Sequence, residues 1–432
     1  MVVSTHSHAF AALALSSLAA IAAADVVTQW NEVLLTSIRD TSTGPPIAAR
    51  TMAMTQLAVF EAVNSVDRNY APYKGYYANP AGTSKEAAAA QAAHDVLKSA
   101  YPARSAIFAA QLATSLSSIA DGPGKTAGIE LGRLAASGMV QRRTGDGSQL
   151  SVSVPVGTLP GQWRPTPNGN LPGAFAQYAA TTPFGLTSPT QFRPAAAPSL
   201  DSAEYAAATN EVKELGSATS ATRTAEQTDI AHLWAFGAGS MTPPGAWNKI
   251  AQQVASDSLL TIDESARMFG LLGMAQADAA IASWDCKNAY GLWRPISAIR
   301  LADTDGNAST DPDVGWTPLL VTPNFQGYTS GHSTFSSAAA AVLASIVGDS
   351  FNFSVTGAGI TRNFGSFSDA AAEAGISRIY GGIHFSFDNT EGLVCGQQVG
   401  EYAADTYLLV PSPSALALAG LAGLLATRRR RM

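Results

Sequence analysis

Ser330-Gly331-His332-Ser333-Thr334 leads directly into the apolar run Phe335-Ser336-Ser337-Ala338-Ala339-Ala340-Ala341-Val342-Leu343-Ala344-Ser345-Ile346-Val347. Small hydroxyl residues ahead of such a run signal the start of a helix. A helix start carries backbone N–H groups without intrahelical partners and the positive end of the dipole, so it favours an oxyanion. Gly331 lets backbone approach such a ligand closely, and His332 stands beside it as an acid or base. In isolation, Ser-Gly-His is a turn or a cap far more often than a site.

Two neighbouring clusters change that weighing. Upstream lies Trp284-Asp285-Cys286-Lys287-Asn288-Ala289-Tyr290-Gly291-Leu292-Trp293-Arg294-Pro295. If the stretch is mainly helical, Lys287 and Arg294 leave one face two turns apart, roughly 10 Å of rise. Arg offers a planar fork to two oxygens and Lys a point charge. Downstream, Ser377-Arg378 is followed by Gly381-Gly382, His384 and Asp388. The glycines imply a tight turn that brings Arg378 and His384 to one place. Asp388, four residues after His384, lies on the same helical face if a helix starts there, and suits a carboxylate that holds Nδ1–H and leaves Nε2 free. Lys with Arg seven apart is usually a solvated face, and a lone His is usually structural. Three such clusters in a chain with only 13% charged residues point instead to a tetrahedral oxyanion such as phosphate or vanadate.

The combined pattern, Lys-x6-Arg-Pro, then Ser-Gly-His, then Ser-Arg-x5-His-x3-Asp, resembles the vanadium-dependent haloperoxidases and the type 2 phosphatidic acid phosphatases that share their site. The resemblance implies an all-α fold of helical bundles and a vanadate cofactor bonded to the protein through His384. It implies that Lys287, Arg294, Ser330, Gly331 and Arg378 hold the equatorial oxygens, that His332 is the acid–base group, and that Asp388 orients His384. Trp284 and Phe325 match aromatic positions that line the halide site in fungal members; plain core packing is the competing reading. Trp163-Arg164-Pro165, Pro183-Phe184-Gly185 and Trp234-Ala235-Phe236 look like bacterial members. Thr329 replaces the usual Pro before Ser330, and Gly237 stands where an Asp supporting the site arginines is expected in fungal members.

The expected reaction is oxidation of a halide, or of an organic substrate through it, by hydrogen peroxide. A secreted acid phosphatase using His384 as a phosphohistidine is one alternative. A non-catalytic cell-surface protein retaining the fold is another, and the intact cationic set argues against it.

Working outward, 432 residues suffice for a large core, and the net charge of −6 excludes a nucleic-acid partner. Residues 25–150 read as an N-terminal helical region, with Ile47 to Val66 starting after Pro45-Pro46. Residues 151–200 are rich in Pro, Gly and Thr and read as a long crossover loop whose aromatic and Arg residues are expected to wall the site entrance; residues 201–409 read as a helical catalytic region. Asp303 to Asp313 opens like a calcium loop but has Val314 rather than Glu at position twelve. Cys286 and Cys395 are compatible with a disulfide or with two free thiols. Residues 1–24 read as a signal peptide ending at Ala22-Ala23-Ala24. Residues 410–432 resemble a PEP-CTERM sorting tag removed by an exosortase, or an anchor with a positive flank. Both ends imply export.

Overall fold

The computed structural model describes residues 25–167 and 169–411. The expected leader, and all of the expected tail beyond Pro411, lie outside the described residues. Among the described residues, thirteen α-helices and one β-hairpin follow in order. The first five helices are α1 (Val26–Asp40), α2 (Pro45–Asp67), α3 (Lys85–Ala100), α4 (Ser105–Ser117) and α5 (Pro123–Arg143). A long segment with a single short 3-10 turn, Ala176–Ala180, then leads to α6 (Ala203–Leu215), α7 (Ala225–Leu233), α8 (Thr242–Asp257), α9 (Ile262–Tyr290) and α10 (Pro295–Arg300). The last elements are α11 (Gly331–Val347), β1 (Ser350–Gly357), β2 (Ile360–Ser366), α12 (Phe367–Tyr380) and α13 (Ser386–Thr406). No described helix is long and apolar enough to cross a membrane.

The core is built round α9. Its 29 residues start from a capping box in which the Thr261 amide donates to Glu264 and the Glu264 amide to Thr261 Oγ1. From Ser265 to Lys287 the helix is buried almost without a break, as expected of a helix surrounded on all sides. It packs on α2 and α11, and Met52, Leu57, Phe269, Leu272 and Ala338 share one apolar cluster with it. Asp278 is one of its buried polar residues. Its carboxylate accepts the N–H groups of Phe184 and Gly185 at 2.7 Å and of Leu186 at 2.9 Å. It thereby ties the Pro183-Phe184-Gly185 segment to the central helix. Burial pushes its pKa up to about 6, against those three bonds.

Helix α13 lies on α11 through glycines every fourth residue. A Cβ at Gly392 would stand 2.9 Å from the Ser330 carbonyl oxygen, at Gly396 2.3 Å from that of Thr334, and at Gly400 2.4 Å from that of Ala338. Gly124, Gly128 and Gly132 of α5 do the same against Gly82, Ser84 and Ala88 at the start of α3. These stripes let backbones touch. For α11 and α13 the contact brings the first residues of both helices to one place.

The hairpin is a feature that helical patterning did not anticipate. Phe353 pairs with Phe364, and Ala358 and Gly359, both at positive φ, make its turn. Phe353 stacks on Phe364 and Phe367 with centroids 5.6 and 5.2 Å apart. Arg362 of β2 pairs with Glu373 of α12 at 2.7 Å, and Glu373 accepts the Trp234 indole N–H at 3.0 Å. The hairpin thus buttresses the Trp234-Ala235-Phe236 loop.

Candidate active site

The expected geometry of the first cluster needs correction. Helix α9 does not continue to Arg294; it ends at Tyr290, with Gly291 in the left-handed region at φ +59. Arg294 has extended backbone and forms the N-cap position of α10, where Pro295 occupies the first turn. The two side chains converge nonetheless, because the turn folds Arg294 back. Lys287 Nζ lies 5.4 Å and the Arg294 guanidinium 4.9 Å from the centre of the Phe325 ring. Likewise His384 is not on the face of a helix. Helix α13 begins at Ser386, and Asp388, in its first turn, reaches back to the segment preceding the helix.

Each group is fixed by backbone. Lys287 Nζ donates to the carbonyls of Gln326 at 3.2 Å and Gly327 at 3.0 Å, and also to that of Thr329. Arg294 donates through Nε to the Phe325 carbonyl and through Nη1 to that of Ile383, both at 2.7 Å. Arg378, near the end of α12, donates through Nη1 to the Trp234 carbonyl at 3.2 Å. Gly382 at φ +76 turns the chain after α12, and Ile383 N–H returns to the Arg378 carbonyl at 3.1 Å. Ser330 caps α11 and accepts the Ser333 hydroxyl at 2.8 Å. Gly331 and His332 begin that helix, so their amides have no intrahelical partner by position.

The tautomers follow from the partners. His384 Nδ1 is 2.8 Å from Asp388 Oδ2, and Nε2 is 2.9 Å from Arg294 Nη1. A guanidinium can only donate, so Nε2 carries the lone pair and Nδ1 the hydrogen. His332 Nε2 lies 3.3 Å from the Ala235 carbonyl, which can only accept. In neutral His332, Nε2 therefore carries the hydrogen and Nδ1 the lone pair.

The electrostatics are those of an anion site. Lys287, Arg294, Arg378, His384 and Asp388 are all buried. Among the described residues no carboxylate lies within 4.0 Å of the three cations. Arg294 Nη2 and Arg378 Nε are buried with no hydrogen-bond partner. Burial, then mutual repulsion, holds Lys287 well below its usual pKa and lowers Arg378 to about 9; burial lowers Arg294 to about 10. His384 and His332 are held well below the usual imidazole range, first by burial and then by the nearby cations. Asp388 is raised to about 7 by burial, against the Phe385 N–H bond and the cations. Orphaned donors and unbalanced positive charge are what a tetrahedral oxyanion would satisfy, and the lone pair on His384 Nε2 suits a metal centre within it. The residues fit vanadate.

Trp284 and Phe325 lie together with centroids 5.0 Å apart. Patterning expected aromatic residues of the 151–200 loop at the site entrance but did not single out Phe175, which contacts both rings. Nor did it single out Arg193, whose guanidinium grips Asp285 through two bonds of 2.5 and 2.7 Å. The loop from Asp303 uses its own acid: Asp305 accepts Asn307 N–H and the Thr310 hydroxyl, both at 2.8 Å. No cluster of three or more metal-ligating side chains is present among the described residues. Cys286 and Cys395 are both free and buried. Gly237 has no side chain to support Arg378, whose Nη1 is held by the Trp234 carbonyl.

A family model described as the VCPO second helical-bundle domain matches residues 267–410. The vanadium chloroperoxidase of Curvularia inaequalis is 28% identical, over 72% of this chain and 63% of its own length. The chain therefore spans less than two thirds of that relative. A crystal structure of a bacterial vanadium-dependent iodoperoxidase superposes with a TM-score of 0.79 at 27% identity, covering 90% of this chain and 97% of that one. A holo-type bacterial vanadium-dependent chloroperoxidase has the same fold at a TM-score of 0.66 and 17% identity, over 84% and 93%. The fold is the vanadium haloperoxidase helical bundle, and these comparisons support membership of that family.

Proposed function

We propose that the protein is a vanadate-dependent haloperoxidase that oxidises halide with hydrogen peroxide to hypohalous acid. The observation that carries this reading is the coincidence of three buried basic side chains that have no carboxylate within salt-bridge distance with a deprotonated His384 Nε2 at one point. Lys287, Arg294 and Arg378 would hold the anionic oxygens, with the Gly331 amide and the Ser330 hydroxyl on the helix start. His384 Nε2 would bond the vanadium, and Asp388 would keep that nitrogen free of hydrogen. Bound vanadate supplies a Lewis-acid centre at which peroxide becomes electrophilic toward halide without a change of metal oxidation state. In balance, halide, peroxide and one proton give hypohalous acid and water. Neutral His332 accepts a proton from incoming peroxide at Nδ1 and returns it to the departing oxygen. The fixed cations stabilise negative charge where it develops, with no reorganisation. Trp284 and Phe325 would wall the halide.

The test is halide oxidation by purified protein with and without orthovanadate. Inorganic phosphate should compete, since the same cradle holds it. Efficient phosphatase turnover with no peroxidase activity at any vanadate level would favour the phosphatase reading instead.

We also propose export. The support is the apolar stretch Ala9 to Ala22 with its Ala-rich end, and the apolar run Ala415 to Ala426 followed by Arg428 to Arg431. The tail is read as a PEP-CTERM tag and an exosortase as its processing partner, although Ser412 stands where the tag usually has Glu. Intact-mass analysis of native protein tests this; a mass of all 432 residues would rule out both cleavages.

A further inference from the structure

Phe175 is held in an unusual way for a ring that only fills space. It sits at φ +64, ψ +16, in the left-handed region that a Phe adopts rarely. Such conformations persist where the surroundings dictate them, and here they do. The Ala174 amide donates to the Asn324 carbonyl at 2.9 Å, and the Trp284 indole to the Ala174 carbonyl at 3.4 Å. Asn288 donates to the Ala176 carbonyl at 2.8 Å, and Asn324 to the Pro172 carbonyl at 2.7 Å. The segment is thus fastened to α9 on both sides of Lys287 and to the residue before Phe325.

These bonds aim the half-buried Phe175 ring at the aromatic pair. Its centroid is 6.0 Å from Trp284 at an interplanar angle of 79°, and 6.4 Å from Phe325 at 58°. With Trp284 and Phe325 5.0 Å apart, the three rings close a triangle. Beyond the ring lies Gly44, where a Cβ would stand 2.4 Å from Phe175 Cζ. The ring therefore has a fixed stop behind it. Lys287 and Arg294 approach Phe325 at cation–π distances. Ring faces attract cations, while ring edges are positive and attract anions.

We propose that Phe175 is the third wall of the halide pocket and limits the size of the ion it accepts. This rests on the reading of Trp284 and Phe325 as the halide site. A wall backed by Gly44 keeps the pocket narrow, so its loss costs a smaller halide more than it costs iodide.

Two variants test this in the full chain: Phe175→Ala, which removes the wall, and Gly44→Ala, which keeps the ring but displaces it. Circular dichroism checks that both fold. Bromide-soaked crystals are read by anomalous diffraction, vanadate affinity by calorimetry, and KM for bromide and iodide by turnover. The expected result is a bromide peak beside Trp284 and Phe325 in the parent, weakened in both variants, with vanadate affinity unchanged. In Phe175→Ala the bromide KM should rise about 10-fold or more and the iodide KM less, whereas in Gly44→Ala, where the ring is pushed away from Gly44 into the pocket, the iodide KM should rise more than the bromide KM. A parent peak at that place, with peaks and KM ratio unaltered in both variants, overturns the role of Phe175 alone. No peak there in the parent overturns the halide reading and this proposal with it.

Discussion

Arg294 Nη1 and His384 Nε2 are 2.9 Å apart, and the guanidinium is the donor. The histidine that would bond the metal thus presents a lone pair, because Asp388 has taken the hydrogen on the other nitrogen at 2.8 Å. The two contacts fix ring orientation and tautomer together.

Asp388→Asn removes the charge that favours the Nδ1–H tautomer and places an amide among buried donors. Vanadate affinity should fall by about 10–100-fold, the usual cost of losing such an orienting partner. Calorimetry checks this, and unchanged affinity would show that Arg294 alone sets the tautomer.

His384 and His332 should separate binding from chemistry. His384→Ala should lose the bond to vanadium and leave only ionic capture by Lys287, Arg294 and Arg378. His332→Ala should retain much of the affinity and lose about 10²–10⁴-fold in turnover. Equal loss of affinity in the two variants, or near-normal turnover in His332→Ala, contradicts this division.

Much of the site was legible because its chemistry needs particular residue types at short spacing. Lys287, Arg294, the Ser330 to His332 run, Arg378, His384 and Asp388 meet as the spacing suggested, although the expected helix from Lys287 to Arg294 breaks at Gly291. Phe175 and Arg193 belong to the 151–200 loop whose aromatic and Arg residues were expected at the site entrance, but neither was singled out, because their partners lie 109–150 and 92 residues away and no local pattern encodes such pairing. Other signals were present but unused. Phe351-x-Phe353-x-Val355 alternates as a strand does and Ala358-Gly359 is a turn signal. Gly392, Gly396 and Gly400, like Gly124, Gly128 and Gly132, repeat every four residues, a helix-contact signature.

Gly396→Ala tests the α11–α13 contact. The added methyl would meet the Thr334 carbonyl at 2.3 Å, with backbone on both sides. The helices must spread, at a cost of about 1–3 kcal/mol or more. Denaturant unfolding should show that loss, and vanadate affinity should fall with it, since the contact sets the approach of Ser330 to Asp388, whose carbonyl accepts the Ser330 amide at 3.0 Å.

Asp278 gives a pH signature remote from the site. Its folded pKa is raised by burial to about 6 from 3.8. The folded state therefore holds a proton that the unfolded state has lost between those values. The resulting stability is fully present below pH 3.8 and is lost as pH rises through about 6. It is on the order of 3 kcal/mol. Thermal unfolding at a series of pH values should show this decline against the background of the other carboxylates, and Asp278→Asn should remove it. The same slope in both proteins contradicts the assignment.

The most direct test of the central claim is vanadium removal and return. Protein stripped exhaustively of vanadium should not oxidise bromide or iodide with hydrogen peroxide, orthovanadate should restore the activity, and inorganic phosphate should compete with that restoration. Full peroxidase activity in the stripped protein would contradict the account.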